Sequence, residues 1–236
     1  MQKDGFLALL NGCIPYISEE WKNVYGELLQ EEHWSVLGNR IYAFFFENEL
    51  NHNILPVFSE EIKVDYGKHY QYFKRLRTIL DIDESERPQL LAMAIEETPI
   101  ESLLIILGQR KTSATITDEA GIPPLKEYLL ESCFAAYNSQ LCKAARAREK
   151  HIMRNEDDPF WGKMEGSPAE KEQVAKSVVT KIIEEKTWWN VFTHYKHEVV
   201  YEIRIASGQG IRWKKKDLEL IGFLEPFLND KENSNE

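Results

Sequence analysis

The chain has 236 residues, 43% hydrophobic, 29% charged and 11% aromatic, with 12 glycines and 9 prolines. That much apolar side chain offsets the entropy of ordering and excludes a disordered, collagenous or low-complexity chain. The formal net charge of −10 repels nucleic acid and anionic membrane from the chain as a whole, so a polyanion partner would need a local basic surface.

The first 110 residues read as helices. Ser18-Glu19-Glu20-Trp21 opens a segment with Trp21, Val24, Tyr25, Leu28 and Leu29 at helical spacing. A second segment, from about Ser35 to Leu50, is apolar around much of its circumference and is expected in the core, ending at Asn51-His52-Asn53. Tyr66 to Leu80 carries an aromatic and leucine stripe. Pro88 and Pro99 each start a helix, the second stopping near Gly108. Gln109 to Pro124 loses helical periodicity and is the clearest interior break.

Leu125 to about Arg154 reads as one long helix with a basic end. Ser167-Pro168-Ala169-Glu170 is a capping box, with serine at N-cap, proline at N1 and glutamate reaching back from N3. From Trp188 the apolar period changes from 3.6 to 2. Val191–Thr193, Glu198–Ala206, a strand from Ile211 and a last one within Asp217–Leu224 are predicted, with Ser207-Gly208-Gln209-Gly210 as a turn. Asn229–Glu236 is expected to be a disordered tail.

The charge is uneven: residues 1–118 hold 11 basic and 19 acidic side chains, whereas residues 143–216 hold 16 basic and 11 acidic. Three cysteines show no paired spacing. If Cys133 and Cys142 share a helix they stand about 13 Å apart, too far for a disulfide. Neither a metal site nor a disulfide framework is expected, and a reduced cytoplasmic setting fits. No apolar run approaches the roughly 20 residues of a membrane span.

Motifs for serine hydrolases, phosphate loops, zinc proteases and EF-hands are absent. Gly208-Gln209-Gly210 suits a hairpin turn. His194 and His197 are three apart, which on a continuous strand puts them on opposite faces and argues against a metal pair. Glu202 and Arg204 share a strand face, and Arg212 can lie across the turn. Two rigid guanidinium forks around a carboxylate make a candidate anchor for a polar or anionic ligand, with Trp189 and Trp213 as candidate aromatic walls. Lys214-Lys215-Lys216 adds local positive charge, but the acidic whole makes nucleic acid an unfavoured partner.

Trp188-Trp189-Asn190-Val191, Glu198 to Arg204, Gly208-Gln209-Gly210-Ile211-Arg212-Trp213 and Gly222-Phe223-Leu224-Glu225-Pro226 together resemble a family of uncharacterised proteins. Its ending reads W-x-N-V, E-x-R, G-x-G-x-R-W and G-F-L-E-P. Lys150-His151 and Phe160-Trp161-Gly162 are similar to that family's upstream elements. The resemblance covers roughly residues 140–228 and implies a shared fold, with no activity attached.

The expectation is an α+β fold: a predominantly helical body and a small antiparallel sheet of three to four strands near the C-terminus. It is read as one compact domain over 1–228, with 109–124 as the place where a helical lobe (1–110) would part from a helix-plus-sheet lobe (125–228). The leading functional expectation is a non-enzymatic intracellular protein without cofactor, binding a protein or a small polar or anionic ligand at the sheet. The alternative is an enzyme using Glu202, Glu225 or His197 as acid or base. A third reading has the acidic helical half bind a basic protein.

Overall fold

The computed structural model describes residues 2–47, 55–74, 76–79, 81–154, 159–163 and 165–226. The expected ends at Asn51-His52-Asn53 and over Asn229–Glu236 lie outside them. The helices are α1 (Lys3–Cys13), α2 (Glu19–Tyr25), α3 (Glu31–Tyr42), α4 (Tyr66–Tyr70), α5 (Leu76–Ile79), α6 (Arg87–Glu96), α7 (Ile100–Leu107), α8 (Lys126–Phe134), α9 (Lys143–Ile152) and α10 (Pro168–Glu184). The strands are β1 (Lys186–His194), β2 (Glu198–Ile205), β3 (Gly210–Lys214) and β4 (Leu220–Leu224), in the order β1-β2-β3-β4 with every pair antiparallel. The fold class is α+β, as expected.

By their contacts these elements fall into two compact units. The first comprises Met1–His52, Ile62–Lys111 and Thr115–Ile122. In it α1 packs on α3 and α6, and α3 and α4 pack on α7. Residues Ser102 to Leu107 of α7 are all buried, and Gly108 closes the helix in the left-handed region at φ 113°. Tyr66–Leu80 is not one helix: α4 tightens into a 3-10 turn at Gln71–Phe73 before α5.

The second unit comprises Asn53–Glu61, Thr112–Ala114 and Pro123–Glu236. The single helix expected over Leu125–Arg154 is in fact two. Between α8 and α9 the Asn138 side chain accepts from the amides of Gln140 and Leu141, each at 2.8 Å. Asparagine thereby competes with helical hydrogen bonding and turns the chain, an effect apolar periodicity does not register. The helical estimate of the Cys133–Cys142 separation falls with it. Cys133 feels Cys142 electrostatically, and burial pushes its thiol up to about 12. All three cysteines are buried and reduced.

The capping box opens α10 as expected: Ser167 Oγ accepts from the Glu170 amide at 3.4 Å, and Glu170 Oε2 from the Ser167 amide at 2.7 Å. Strand pairing then sets the two sheet faces. Glu202 lies opposite Asn190 and Arg212, and Arg204 opposite Trp188 and Gly210. Because side chains alternate, the even-numbered residues of β1–β3 form one polar face. The odd ones (Trp189, Val191, Tyr201, Ile203, Ile211, Trp213) form a buried apolar face, and α10 packs on β2 and β3. Among the described residues, no helix is long and apolar enough to cross a membrane.

Candidate functional site

The polar face is built around Glu202. Arg204 Nε donates to Glu202 Oε1 at 2.5 Å, and Arg212 Nε donates to Oε2 at 2.7 Å, with Arg212 Nη2 2.5 Å from the same oxygen. One carboxylate thus bridges two guanidiniums, and all three predicted polar anchors converge. Arg204 Nη1 also donates to the backbone carbonyls of Gly208 at 2.7 Å and Glu225 at 2.8 Å. Burial lowers the Arg204 pKa while Glu202 opposes the shift. Gly210 makes this packing feasible, since a Cβ there would lie 2.3 Å from the Ile203 carbonyl oxygen and 2.7 Å from Arg204 Cγ.

The Arg204 end is sealed by a segment far away in sequence. Phe58 lies 5.2 Å from the Arg204 guanidinium and meets Trp188 edge-on at 5.2 Å. Glu61 Oε1 accepts from Trp188 Nε1 at 3.0 Å, and the Leu55 carbonyl accepts from Thr187 Oγ1 at 2.5 Å. Glu225 anchors the far edge. Its carboxylate lies against Nε2 of the buried His151, and Trp161 Nε1 lies 3.5 Å from it. The fully buried Arg148 ties down the adjoining connector by donating to the Trp161 and Lys163 carbonyls, both at 2.6 Å.

At the other end the face is open. Arg212 Nη1 donates to His194 Nε2 at 2.9 Å. Arginine and the Lys196 amide at Nδ1 can both only donate, and a neutral imidazole accepts at one nitrogen. The shorter, charge-assisted arginine contact takes Nε2 as the acceptor and leaves the hydrogen on Nδ1. The 3.2 Å contact from the Lys196 amide to Nδ1 is not a hydrogen bond in that tautomer. Burial and the charge of Arg212 hold His194 below the ordinary histidine range. Gly222 faces Arg212 on β4, and no atom lies within 4 Å of where its Cβ would be.

His194 and His197 close a three-residue hairpin loop. The His197 amide donates to the His194 carbonyl at 3.2 Å, and Glu198 takes φ 59° to re-enter the strand. A turn followed by one left-handed residue is a common three-residue hairpin geometry. Here it reverses the expectation from spacing: the two rings stack at 5.0 Å and 20°. His194, noted in the sequence only as half of an unconvincing metal pair, is therefore a member of the site.

The tryptophan walls are not brought together with the anchors. Trp189 and Trp213 stand on the odd-numbered face, 6.3 and 6.0 Å from the Tyr201 ring. The aromatic groups beside the charged network are instead Phe58, and Phe192, whose ring centre is 5.7 Å from the Arg212 guanidinium.

Residues 130–225 match the model of a protein family described as CdiA C-terminal tRNase toxin domain. The matched span takes in α9, α10 and the whole sheet. No curated protein and no solved structure matches the chain. The family match overturns two expectations: a non-enzymatic binder as the leading function, and nucleic acid as an unfavoured partner. The first leaned on the absence of known catalytic motifs, the second on the charge of the whole chain. The matched span holds 16 Lys and Arg against 15 Asp and Glu, while the full chain is −10. The acidity that argued against nucleic acid thus lies outside the span.

Proposed function

We propose that the C-terminal unit cleaves RNA, with tRNA as its substrate class, at the open end of the polar sheet face, and that this cleavage makes the protein a toxin. The observation that carries the reading is the His194–Arg212–Glu202 network inside a span that resembles a tRNase toxin domain.

The chemistry suits RNA. The ribose 2′-hydroxyl attacks the adjacent phosphorus, the bond to the 5′-oxygen breaks, and the products carry a 2′,3′-cyclic phosphate and a 5′-hydroxyl. This step needs a base for the 2′-hydroxyl proton, an acid for the leaving 5′-oxygen, and a cation for the charge that builds on the phosphoryl oxygens. His194 is neutral near pH 7 and has its only lone pair on Nε2. In the resting site Arg212 occupies that lone pair. An incoming phosphate competes for the guanidinium, takes Arg212 as its clamp and frees Nε2 to accept the 2′-hydroxyl proton. His197, stacked on His194, is placed to return a proton to the 5′-oxygen. Glu202 keeps the Arg212 fork oriented, and the sealed Arg204 fixes Glu202.

The test is incubation of the purified chain with total tRNA, with products resolved on a denaturing gel and their ends analysed. Discrete fragments ending in 2′,3′-cyclic phosphate are expected. Intact tRNA at equimolar protein, or fragments ending in 5′-phosphate, would contradict this mechanism.

A further inference from the structure

The tip of the β1–β2 hairpin carries a side chain that the folded unit does not use for its own packing. Tyr195 is 84% exposed, the most open of the large apolar side chains among the described residues. A ring in that position gives up apolar burial, and neither neighbour of Tyr195 restores it. His194 meets the tyrosine ring at 4.6 Å with a 32° tilt, and the Lys196 ammonium sits 5.2 Å from the ring centre. Tyr195 and His197 thus each meet the ring of His194, the proposed base, and the tyrosine is the one of the two that stands in solvent.

We infer that Tyr195 is a stacking platform for an unpaired base next to the scissile phosphate, so that the unit cuts single-stranded loops of RNA and not duplex stems. The inference rests on the RNA-cleaving reading and deepens it. Three features on the page favour a nucleobase over other occupants. An exposed aromatic ring accepts any base by its π-face. Lys196, adjacent in sequence, supplies a cation for the phosphate on that base's nucleotide. The contact between the Tyr195 and His194 rings sets the stacked base beside the proposed base, so stacking and proton transfer act on adjoining nucleotides. A base inside an A-form helix offers no free face, and the deep, narrow major groove keeps side chains from its edges.

The experiment compares the wild-type chain with Tyr195→Ala, Tyr195→Phe and Tyr195→Trp. Substrates are a tRNA-derived stem-loop and the same loop sequence annealed to a complementary strand. The wild type is expected to cut the stem-loop and to lose at least about 10-fold in rate on the annealed form. Tyr195→Ala should lower kcat/KM by about 5- to 150-fold, the range of one base–aromatic stack, with most of the loss in KM. The phenylalanine and tryptophan variants should retain activity, because they keep the π-face. An abasic nucleotide at the position flanking the cut should erase the difference between wild type and Tyr195→Ala. Equal cutting of both substrates, or undiminished kcat/KM in Tyr195→Ala, overturns the inference while leaving RNA cleavage standing. A wild-type chain that cuts neither substrate overturns both.

Discussion

Arg204 and Arg212 grip opposite oxygens of the same carboxylate, yet their side chains are 2% and 16% exposed. Arg204 is capped by Phe58 and spends a guanidinium nitrogen on two backbone carbonyls. Arg212 has glycine as its β4 neighbour and a histidine lone pair as its remaining partner. One cation is walled in by groups that hold structure, and the other by groups a ligand can displace. The same side chain on the same sheet face is thus a structural brace at one end and a reactive group at the other, and the difference is set by what covers it.

Removing the brace should give the largest effect. Arg204→Ala leaves Glu202 buried beside one cation and takes a donor from the Gly208 and Glu225 carbonyls, and breaking a buried pair this way costs about 3–5 kcal/mol. The expected outcome is a large fall in the denaturant midpoint, with activity lost through unfolding; a native-like midpoint would erase the contrast between the two ends. At the open end, His194→Ala should cut tRNA cleavage by about 10²–10⁴-fold, the usual contribution of a general base, with the unfolding midpoint nearly unchanged. Phe58→Ala tests the seal. A desolvated cation–π contact is worth about 2 kcal/mol, and the loss should appear in stability before activity. Ser167→Ala, away from both ends, should cost about 1 kcal/mol through the lost helix cap and leave kcat/KM unaltered.

The pH dependence sharpens the open end. Neutral His194 is the competent form, so activity falls as pH drops through its pKa. Burial and Arg212 depress that pKa, which places the acidic limb of kcat/KM below the ordinary histidine value of about 6.5. An NMR titration of His194 should find its midpoint there, and Arg212→Gln should raise it by removing the cation. A midpoint at or above 6.5 in the wild type would contradict the assigned environment.

Much of this contrast was legible in the sequence. The alternation through Glu198–Ala206 identified β2 and put Glu202 and Arg204 on one face. The glycine turn brought Arg212 alongside, and the Ser167–Glu170 cap was read correctly to the residue. The tryptophan walls failed on parity. Residues 189 and 213 are odd where 202, 204 and 212 are even, so strand alternation alone places them on the opposite face. Two other features had no local signal. The seal by Phe58 and Glu61 joins residues more than 100 positions apart, and periodicity carries no information about such contacts. The stacking of His194 on His197 depends on where β1 ends, because spacing three separates side chains along a strand and reunites them across a turn. The Asn138 break is a third kind of miss, a side chain competing for backbone amides inside an apolar pattern. Function has no local signal of the usual kind: no familiar catalytic motif is present, and the net −10 of the whole chain weighs against nucleic acid although the span that resembles a tRNase domain is nearly neutral.

The most direct test of the central claim is a paired measurement on Arg212→Ala: its thermal midpoint and its kcat/KM on tRNA, each against wild type. The account predicts a folded protein whose midpoint falls less than that of Arg204→Ala, because Arg212 is the more exposed partner of Glu202. It also predicts a cleavage rate lower by about 10²–10³-fold, the cost of losing one charge-stabilising group at a developing oxyanion. Wild-type cleavage by a folded Arg212→Ala protein would contradict it.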